Sequence, residues 1–324
     1  MSFLEVKNIV KSFGDTEVLK GISFDMDAHS RLALIGKSGS GKTTMLRLIA
    51  GLEIPNSGTI TINGEELTSD KNFIKPEKRN MGYVFQNHSL FPHLDVYSNI
   101  VFSISKQPKK VKMDMAMSYL NMLGLEDKLK SYPHQLSGGE KQRISIIRTL
   151  ASKPRLLLLD EPFSNLDKNT KEKLKIDLKD ILDKEKLPTI MITHDADDSF
   201  DLADEVILLD EGNIVARGNP EDLYKRPIND HSARFFSESD ILEKNESNEK
   251  FFSNYGLTEK RICIAPQSIK IAEEGTQAKI LGHKFVGNGY MVKLDIMGAE
   301  LKMFSIERIT NPTINVKILE IISI

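Results

Sequence analysis

An α/β fold built around a phosphate-binding loop, followed by a small all-β domain, is what this sequence predicts, and three stretches predict it. The first is Gly36-Lys37-Ser38-Gly39-Ser40-Gly41-Lys42-Thr43, which fits G-x-x-x-x-G-K-[ST] and lies between the apolar run 31–35 and the helical pattern Met45-Leu46-Leu48-Ile49. The second is Leu156-Leu157-Leu158-Leu159, the kind of run a parallel strand buried on both faces requires, ending in Asp160-Glu161-Pro162. The third is the region beyond residue 250, where the apolar pattern becomes β-like, in short segments several of which are separated by glycine-containing turns.

In chain order, residues 6–9 and 18–24 read as short strands before the phosphate loop and 59–63 as one after it, with Asn63-Gly64 a turn signal. The loop's glycines let backbone N–H groups turn inward around phosphates, the helix start adds its positive dipole end, and Lys42 reaches the β and γ oxygens. Thr43 is then the residue to hold Mg²⁺. Between 86 and 137 the pattern is helical, with Met113, Ala116, Met117, Leu120 and Leu123 at spacings of three and four; the methionines read as core packing. Ser137, Gly138 and Gly139 open the helix 144–150, a second anion-friendly helix start.

The acids at 160 and 161 fall at a strand's carboxyl end, where ligands of open α/β sheets bind. An Asp there suits a Mg²⁺ water shell, and the adjacent Glu can orient or deprotonate the water that attacks a γ-phosphate. Residues 168–186 mix Lys, Asp and Glu around Leu174, Leu178, Ile181 and Leu182, as in a solvated amphipathic helix. A strand at 189–192 is closed by His194, and strands at 206–209 and 214–216 flank Asp210-Glu211-Gly212-Asn213. The acidic, polar stretch 237–250 reads as a linker or exposed edge. Beyond it, 262–264, 268–271, 278–281, 290–296, 300–304 and 316–322 read as the strands of a small barrel.

Composition narrows the function classes. The 324 residues favour about two domains, and 40% hydrophobic content suffices for packed cores. A net charge of −2 supplies no general attraction to nucleic acid or anionic lipid. A single cysteine, Cys263, suits a reducing compartment. Residues 1–13 carry Glu5, Lys7 and Lys11 where a signal peptide needs an apolar core, and no apolar run approaches bilayer-spanning length, so any membrane component is expected to be another chain.

Taken together with Gln86 in Tyr83-Val84-Phe85-Gln86, Leu136-Ser137-Gly138-Gly139-Glu140, Phe163-Ser164-Asn165-Leu166-Asp167 and Ile192-Thr193-His194-Asp195, these motifs resemble, in order, those of the ATP-binding subunits of ABC transporters. The resemblance runs from about residue 4 to 230. It implies an α/β P-loop NTPase: an ABC ATPase cassette over 1–236, with an antiparallel β-subdomain and a helical subdomain at about 87–150. A linker at 237–250 and a C-terminal OB-like barrel for regulation or dimerisation at 251–324 complete the expected chain.

By the same resemblance, ATP is held by Phe13, which stacks on adenine where the family more often has Tyr, and by Gly36, Lys37, Ser38, Gly39, Ser40, Gly41, Lys42, Thr43 and Thr44. Lys42, Gln86, Glu161 and His194 are the catalytic set, and Thr43, Gln86 and Asp160 the Mg²⁺ set. One nucleotide cannot occupy two helix starts in one subunit. The resemblance therefore implies that Ser137, Gly138, Gly139 and Glu140 face the γ-phosphate bound by a second copy, with Asp167 of the D-loop linking the two sites of a homodimer.

An importer is favoured by the barrel, by the lack of a fused membrane segment, and by Ser89-Leu90-Phe91-Pro92-His93-Leu94, which resembles the importer surface that receives a permease. The segment Asp95-Val96-Tyr97-Ser98-Asn99-Ile100 most resembles ferric-ion importers, with polyamine, molybdate, sulfate and sugar importers close behind. Transmembrane permease subunits, a solute-binding protein and a peripheral position on the cytoplasmic face of the plasma membrane are the implied setting, with no nucleic acid. In the C-terminal region Ala265-Pro266-Gln267 stands where relatives tend to have Arg-Pro-Glu, and Phe285-Val286-Gly287-Asn288-Gly289-Tyr290 resembles their Phe-x-Gly-x-x-Tyr segment. The alternatives are a soluble, non-transport ABC ATPase, which usually shows tandem cassettes or a long coiled-coil insertion, and an inactive interaction protein, which should lack one of Lys42, Asp160, Glu161 or His194.

Overall fold

A computed structural model describes residues 2–164 and 166–324; the expected D-loop position at 165 lies outside them. The chain divides into two compact units, Met1–Pro220 and Glu221–Ile324.

The first unit runs β1 (Leu4–Phe13), β2 (Thr16–Met26), β3 (Arg31–Ile35), α1 (Lys42–Ala50), β4 (Ser57–Ile62), β5 (Glu65–Thr68) and β6 (Met81–Val84). Helices α2 (Val96–Val101), α3 (Lys109–Met122) and α4 (Gly138–Ala151) come next. It closes with β7 (Leu156–Asp160), α5 (Lys168–Glu185), β8 (Thr189–Thr193), α6 (Ala196–Leu202), β9 (Glu205–Asp210) and β10 (Asn213–Gly218).

Strand chemistry separates these into two sheets. β1, β2 and β4 alternate in burial over part of their length, and with β5 they form an antiparallel sheet of order β2-β1-β4-β5. The six-stranded sheet has the order β10-β9-β3-β8-β7-β6, parallel except for β10. Its central strands β3, β7 and β8 are almost wholly buried, which is why they read as continuous apolar runs. Leu4, Val6 and Ile9 of β1, Leu46 and Ile49 of α1, and Leu158, Ile190 and Ile192 share one apolar core, so α1 is packed between the faces of both sheets.

The far end of α1 is tied down by Arg79, which is 0% exposed. Its guanidinium donates to the carbonyls of Leu48 (3.0 Å) and Ile49 (2.8 Å), where the helix presents its negative end, and to Leu67 O (3.2 Å), Thr68 Oγ1 (2.7 Å) and Ile74 O (2.6 Å). Five acceptors make the buried charge tolerable. Burial still draws its pKa down to about 10.

The expected helical subdomain is α2, α3 and α4, joined through buried Ile100, Ala116, Leu120, Ile144 and Ile147. Met113 and Met117 are only half-buried, so the buried stripe of α3 is Ala116, Tyr119 and Leu120.

The second unit contains α7 (Pro220–Lys225), which begins at the division, then α8 (Asp230–Phe236), β11 (Asp240–Glu243), α9 (Glu249–Asn254) and β12 (Arg261–Ile264). Its remaining strands are β13 (Ile269–Phe285), β14 (Tyr290–Ile296), β15 (Ala299–Ser305), β16 (Thr313–Ile318) and β17 (Ile322–Ser323). Two antiparallel sheets, β11-β12-β17 and β15-β14-β13-β16, enclose a core of Phe251, Phe252, Ile262, Ile264, Ile269, Val292, Leu294, Leu301 and Val316. This is the expected all-β, OB-like region.

Two boundaries differ from the sequence expectation. The stretch 237–250 is not a linker: β11 within it pairs with β12 in register Leu242↔Ile262, and Leu242 joins the core. The unit accordingly begins near 221, not 251, because α8 packs on β11 and β11 in turn packs on β12 and β15. Segments 268–271 and 278–281 are one strand, β13, whose ladder to β16 is interrupted between Ile271 and Thr276, both opposite Val316.

Candidate active site

Four neighbouring parallel strands, β3, β8, β7 and β6, end on the same edge, and each hands a different piece to that edge. β3 leads into the phosphate loop, β8 into His194, β7 into Asp160 and Glu161, and β6 into Gln86. The sequence scatters these groups between positions 36 and 194. Parallel pairing gathers them.

In the phosphate loop Gly36, Gly39 and Gly41 all have positive φ (146°, 83° and 102°). Gly41 is fixed for a second reason: a Cβ there would lie 2.6 Å from Leu19 and 3.0 Å from the Val18 carbonyl, so β2 passes directly beneath the loop. α1 then starts with no side-chain cap and no acid in its first turn, leaving the N–H groups at Lys42, Thr43 and Thr44 directed at the loop's hollow. Lys42 is buried, and its ammonium donates to Gly36 O (2.8 Å) and Lys37 O (2.7 Å). Burial pulls its pKa down, while Glu161 and Asp160 pull it back up. Ser40 is buried beneath the loop; Lys37, Ser38 and Gly39 are exposed.

Thr43 donates to Asp160 Oδ1 at 3.5 Å, and the Tyr83 hydroxyl donates to Asp160 Oδ2 at 2.7 Å. Asp160 is 7% exposed, and burial raises its pKa against the lowering effect of the Tyr83 bond.

Glu161 leaves the strand with φ 47°, an unusual backbone for a non-glycine residue, stabilised because its N–H donates to Ile192 O (3.2 Å) and its carbonyl accepts from Ser164 N (3.2 Å) and Oγ (2.9 Å). That twist separates the two acids. Asp160 turns into the protein, and Glu161 faces a cleft of about 430 Å³ lined by Gln86, Phe163, Leu166, Lys171, His194 and Asp195, among others. There Gln86 Nε2 donates to Glu161 Oε2 (3.2 Å), and His194 Nδ1 lies 3.6 Å from Oε1.

Beneath His194 lies a charged network that the sequence reading did not foresee. Lys171 bonds Asp195 (2.6 Å) and Asp198 (2.7 Å), Lys175 bonds Asp201 (3.1 Å), and Thr193 Oγ1 donates to Asp198 Oδ2 (2.8 Å). Burial lowers the Lys171 pKa, but the bonds from Asp195 and Asp198 outweigh it and leave it raised. Helix α5 is thus not wholly solvated: Lys175 is 4% exposed. The signal was readable as Lys171 and Lys175 one turn apart, facing the acids 195, 197, 198 and 201.

The segment 137–140 stands apart. Ser137 caps α4 in a reciprocal box, Glu140 N donating to Ser137 Oγ (3.3 Å) and Ser137 N to a Glu140 carboxylate oxygen (2.7 Å). Buried Gly139 packs where a Cβ would run into Thr170 of α5, whose N-cap is Asp167. Gly138 has only Leu166 near it, at 4.0 Å. Among the described residues no hydrogen bond or ion pair joins 137–140 to 36–44.

Phe13 ends β1 with its ring 48% exposed and Lys11 Nζ 4.7 Å above it. The loop 89–94 is organised by Asn99, 0% exposed, which accepts from Phe91 N (2.9 Å) and donates to the carbonyls of Phe91 (3.1 Å), Leu94 (3.0 Å) and Asp95 (3.1 Å). It presents half-buried Phe91 beside exposed Phe102, ring centroids 4.5 Å apart. In the second unit Gln267 donates to the Tyr224 hydroxyl at 2.7 Å.

Comparison with known proteins agrees with this architecture. The ABC transporter family matches residues 19–164. The Fe(3+) ions import ATP-binding protein FbpC of Serratia marcescens is 34% identical, over 95% of this chain and 94% of that protein. The sulfate/thiosulfate import ATP-binding protein CysA of Synechocystis sp. is 36% identical, over 86% of this chain and 79% of that protein. Among solved structures, the dimeric post-hydrolysis state of the ATP-binding cassette MJ0796 bound to ADP and Pi is similar at a TM-score of 0.60 and 29% identity, covering 67% of this chain and 98% of that one. With its phosphate loop, paired acids and glutamine and histidine on one sheet edge, the chain belongs to the ATP-binding subunits of ABC transporters and is an ATPase.

Proposed function

We propose that this chain is the ATP-hydrolysing subunit of an importer, acting as a homodimer that closes around two ATP molecules and drives separate permease subunits at the cytoplasmic face of the membrane. The observation that carries the reading is the meeting of Gln86, Glu161 and His194, from three adjacent strand ends, beside the Lys42, Thr43 and Asp160 cluster. On this reading the first turn of α1 and Lys42 hold the phosphates, and Phe13 stacks on adenine. Glu161 takes a proton from the attacking water while Gln86 and His194 fix its carboxylate and the γ-phosphate. Ser137 and Gly139 of one copy approach the γ-phosphate bound by the other, and Asp167 joins the two sites.

The donor set suits Mg²⁺, because the Thr43 hydroxyl and an Asp160 carboxylate oxygen are hard oxygen ligands that converge, 3.5 Å apart, at the helix start; the Gln86 amide oxygen would supply a third. When bound, Mg²⁺ neutralises charge developing on the phosphates.

Importer work is supported by half-buried Phe91, on the loop that Asn99 shapes, and exposed Phe102 beside it, a surface for a permease helix, and by the import functions named for the relatives. No helix among the described residues is long and apolar enough to cross a membrane. Ferric ion, delivered by a solute-binding protein, is the cargo we favour, the FbpC match extending over nearly the whole chain.

Glu161→Gln should bind ATP and, with Mg²⁺, form a closed dimer on size exclusion. Mixing Lys42→Ala with Ser137→Arg subunits should restore partial hydrolysis, since the heterodimer keeps one intact composite site. No recovery despite proven heterodimers would count against shared sites. Deleting the gene should abolish uptake of labelled ferric ion; unchanged iron uptake with lost sulfate or spermidine uptake would reassign the cargo.

A further inference from the structure

The consecutive acids Asp160 and Glu161 are both held by one short segment. Gln86 donates to Glu161 at 3.2 Å, and Tyr83, three residues earlier, donates to Asp160 at 2.7 Å. The sheet register explains the second bond. Tyr83 of β6 lies opposite Leu158 of β7, and Leu158 and Asp160, two apart on a strand, point to the same face. A side chain as long as tyrosine, standing beside Leu158, reaches along that face to the carboxylate. Its ring is braced by Phe85, centroids 4.3 Å apart.

The bond divides the carboxylate. Oδ2 is taken by Tyr83, which leaves Oδ1 on the side of Thr43. Arg47, one turn beyond Thr43 on α1, brings a positive charge within reach of both the phenol and the acid. Packing alone would be served as well by phenylalanine. The hydroxyl gives a buried carboxylate the hydrogen bond it needs from a neutral donor, so Oδ1 stays available to a metal ion.

We propose that Tyr83 is a positioning residue for the metal site, its hydroxyl orienting Asp160 so that Oδ1 faces Thr43 and making that alignment depend on the same segment that carries Gln86. The inference rests on the Mg²⁺ reading above. A shift of the β6 exit, as when Gln86 changes partners, then disturbs both acids together.

The test is Tyr83→Phe, with affinity for a non-hydrolysable ATP analogue measured by calorimetry in EDTA and again in Mg²⁺. Without metal the variant should bind within about twofold of wild type, while the gain conferred by Mg²⁺ should shrink about tenfold, the usual cost of removing a partner from a metal-ligating group. Hydrolysis should need correspondingly more Mg²⁺. A full wild-type gain in the variant overturns the role of Tyr83 alone. A wild-type protein that gains nothing from Mg²⁺ overturns the metal site and this inference with it. Should the variant not fold, 3-fluorotyrosine placed at position 83 reads the same contact: its fluorine resonance should move when Mg²⁺ joins the nucleotide complex, and an unmoved resonance overturns the proposal.

Discussion

Helices α1 and α4 both begin at glycines, yet their first turns are finished differently. α1 comes after Gly41 in a left-handed conformation, with no capping side chain and no acid in its own first turn; α4 comes after Ser137, whose hydroxyl and the Glu140 carboxylate close a reciprocal box. An uncapped helix start leaves N–H groups for an outside acceptor, whereas a boxed start has already satisfied two of its own. The first can therefore bind a phosphate by itself. In a homodimer that closes around two ATP molecules, as proposed, the second takes one only when a closing partner compensates for disturbing the box, which makes α1 the resident phosphate site and α4 the conditional one.

The comparison breaks most sharply at Lys42. Lys42→Ala should lower hydrolysis by about a thousandfold, as for loss of a main electrostatic stabiliser, and near wild-type phosphate release would remove the loop from the reaction. Next come Gly138 and Gly139 at the start of α4, whose surroundings differ. Gly139→Ala forces a methyl into Thr170 and should destabilise by about 1–3 kcal/mol. Gly138→Ala meets nothing closer than 4.0 Å and should leave stability unchanged or raised by a few tenths of a kcal/mol, while still impairing hydrolysis if that face meets a partner's nucleotide. Thermal unfolding and turnover of the pair separate packing from function.

Ser137→Ala should cost about 1 kcal/mol by loss of the N-cap, read as a lowered Tm, with no counterpart at α1 because α1 has no capping side chain to lose. The smallest effect is pH-dependent. The Ser137 backbone N–H holds the Glu140 carboxyl below its ordinary value, so its stabilising contribution is present above the unfolded carboxylate range and lost as pH falls through the folded value. The Tm difference between wild type and Glu140→Gln should therefore be largest near neutrality and vanish on acidification; a difference that grows with acid would contradict the box.

Legibility tracked the range of the interactions. The phosphate loop, the buried β7 run and the strand-closing position of His194 are local patterns, so motif and periodicity located them. What the sequence hid was pairing across distance. Tyr83 reads as one letter of a strand until β6 lies beside β7 and its hydroxyl meets Asp160. Lys171 and Lys175 look like solvent charges until α6 brings its acids over them. The stretch 237–250 looked like a linker because β11 is short and flanked by polar residues, yet β12 supplies the partner that makes it a strand. Arg79, an ordinary surface residue by composition, is fully buried because two helix carbonyls and β5 receive it.

That last residue gives α1 a mechanical character. One end of the helix forms the phosphate loop's floor, and the other is bolted through Leu48 and Ile49 to Arg79, which grips Leu67 and Thr68 of β5 in the antiparallel sheet. A helix fastened at both ends acts as a strut. Any tug on the loop is delivered as a push or pull on β5, roughly a helix length away, and the antiparallel sheet and the phosphate loop must move as one lever arm.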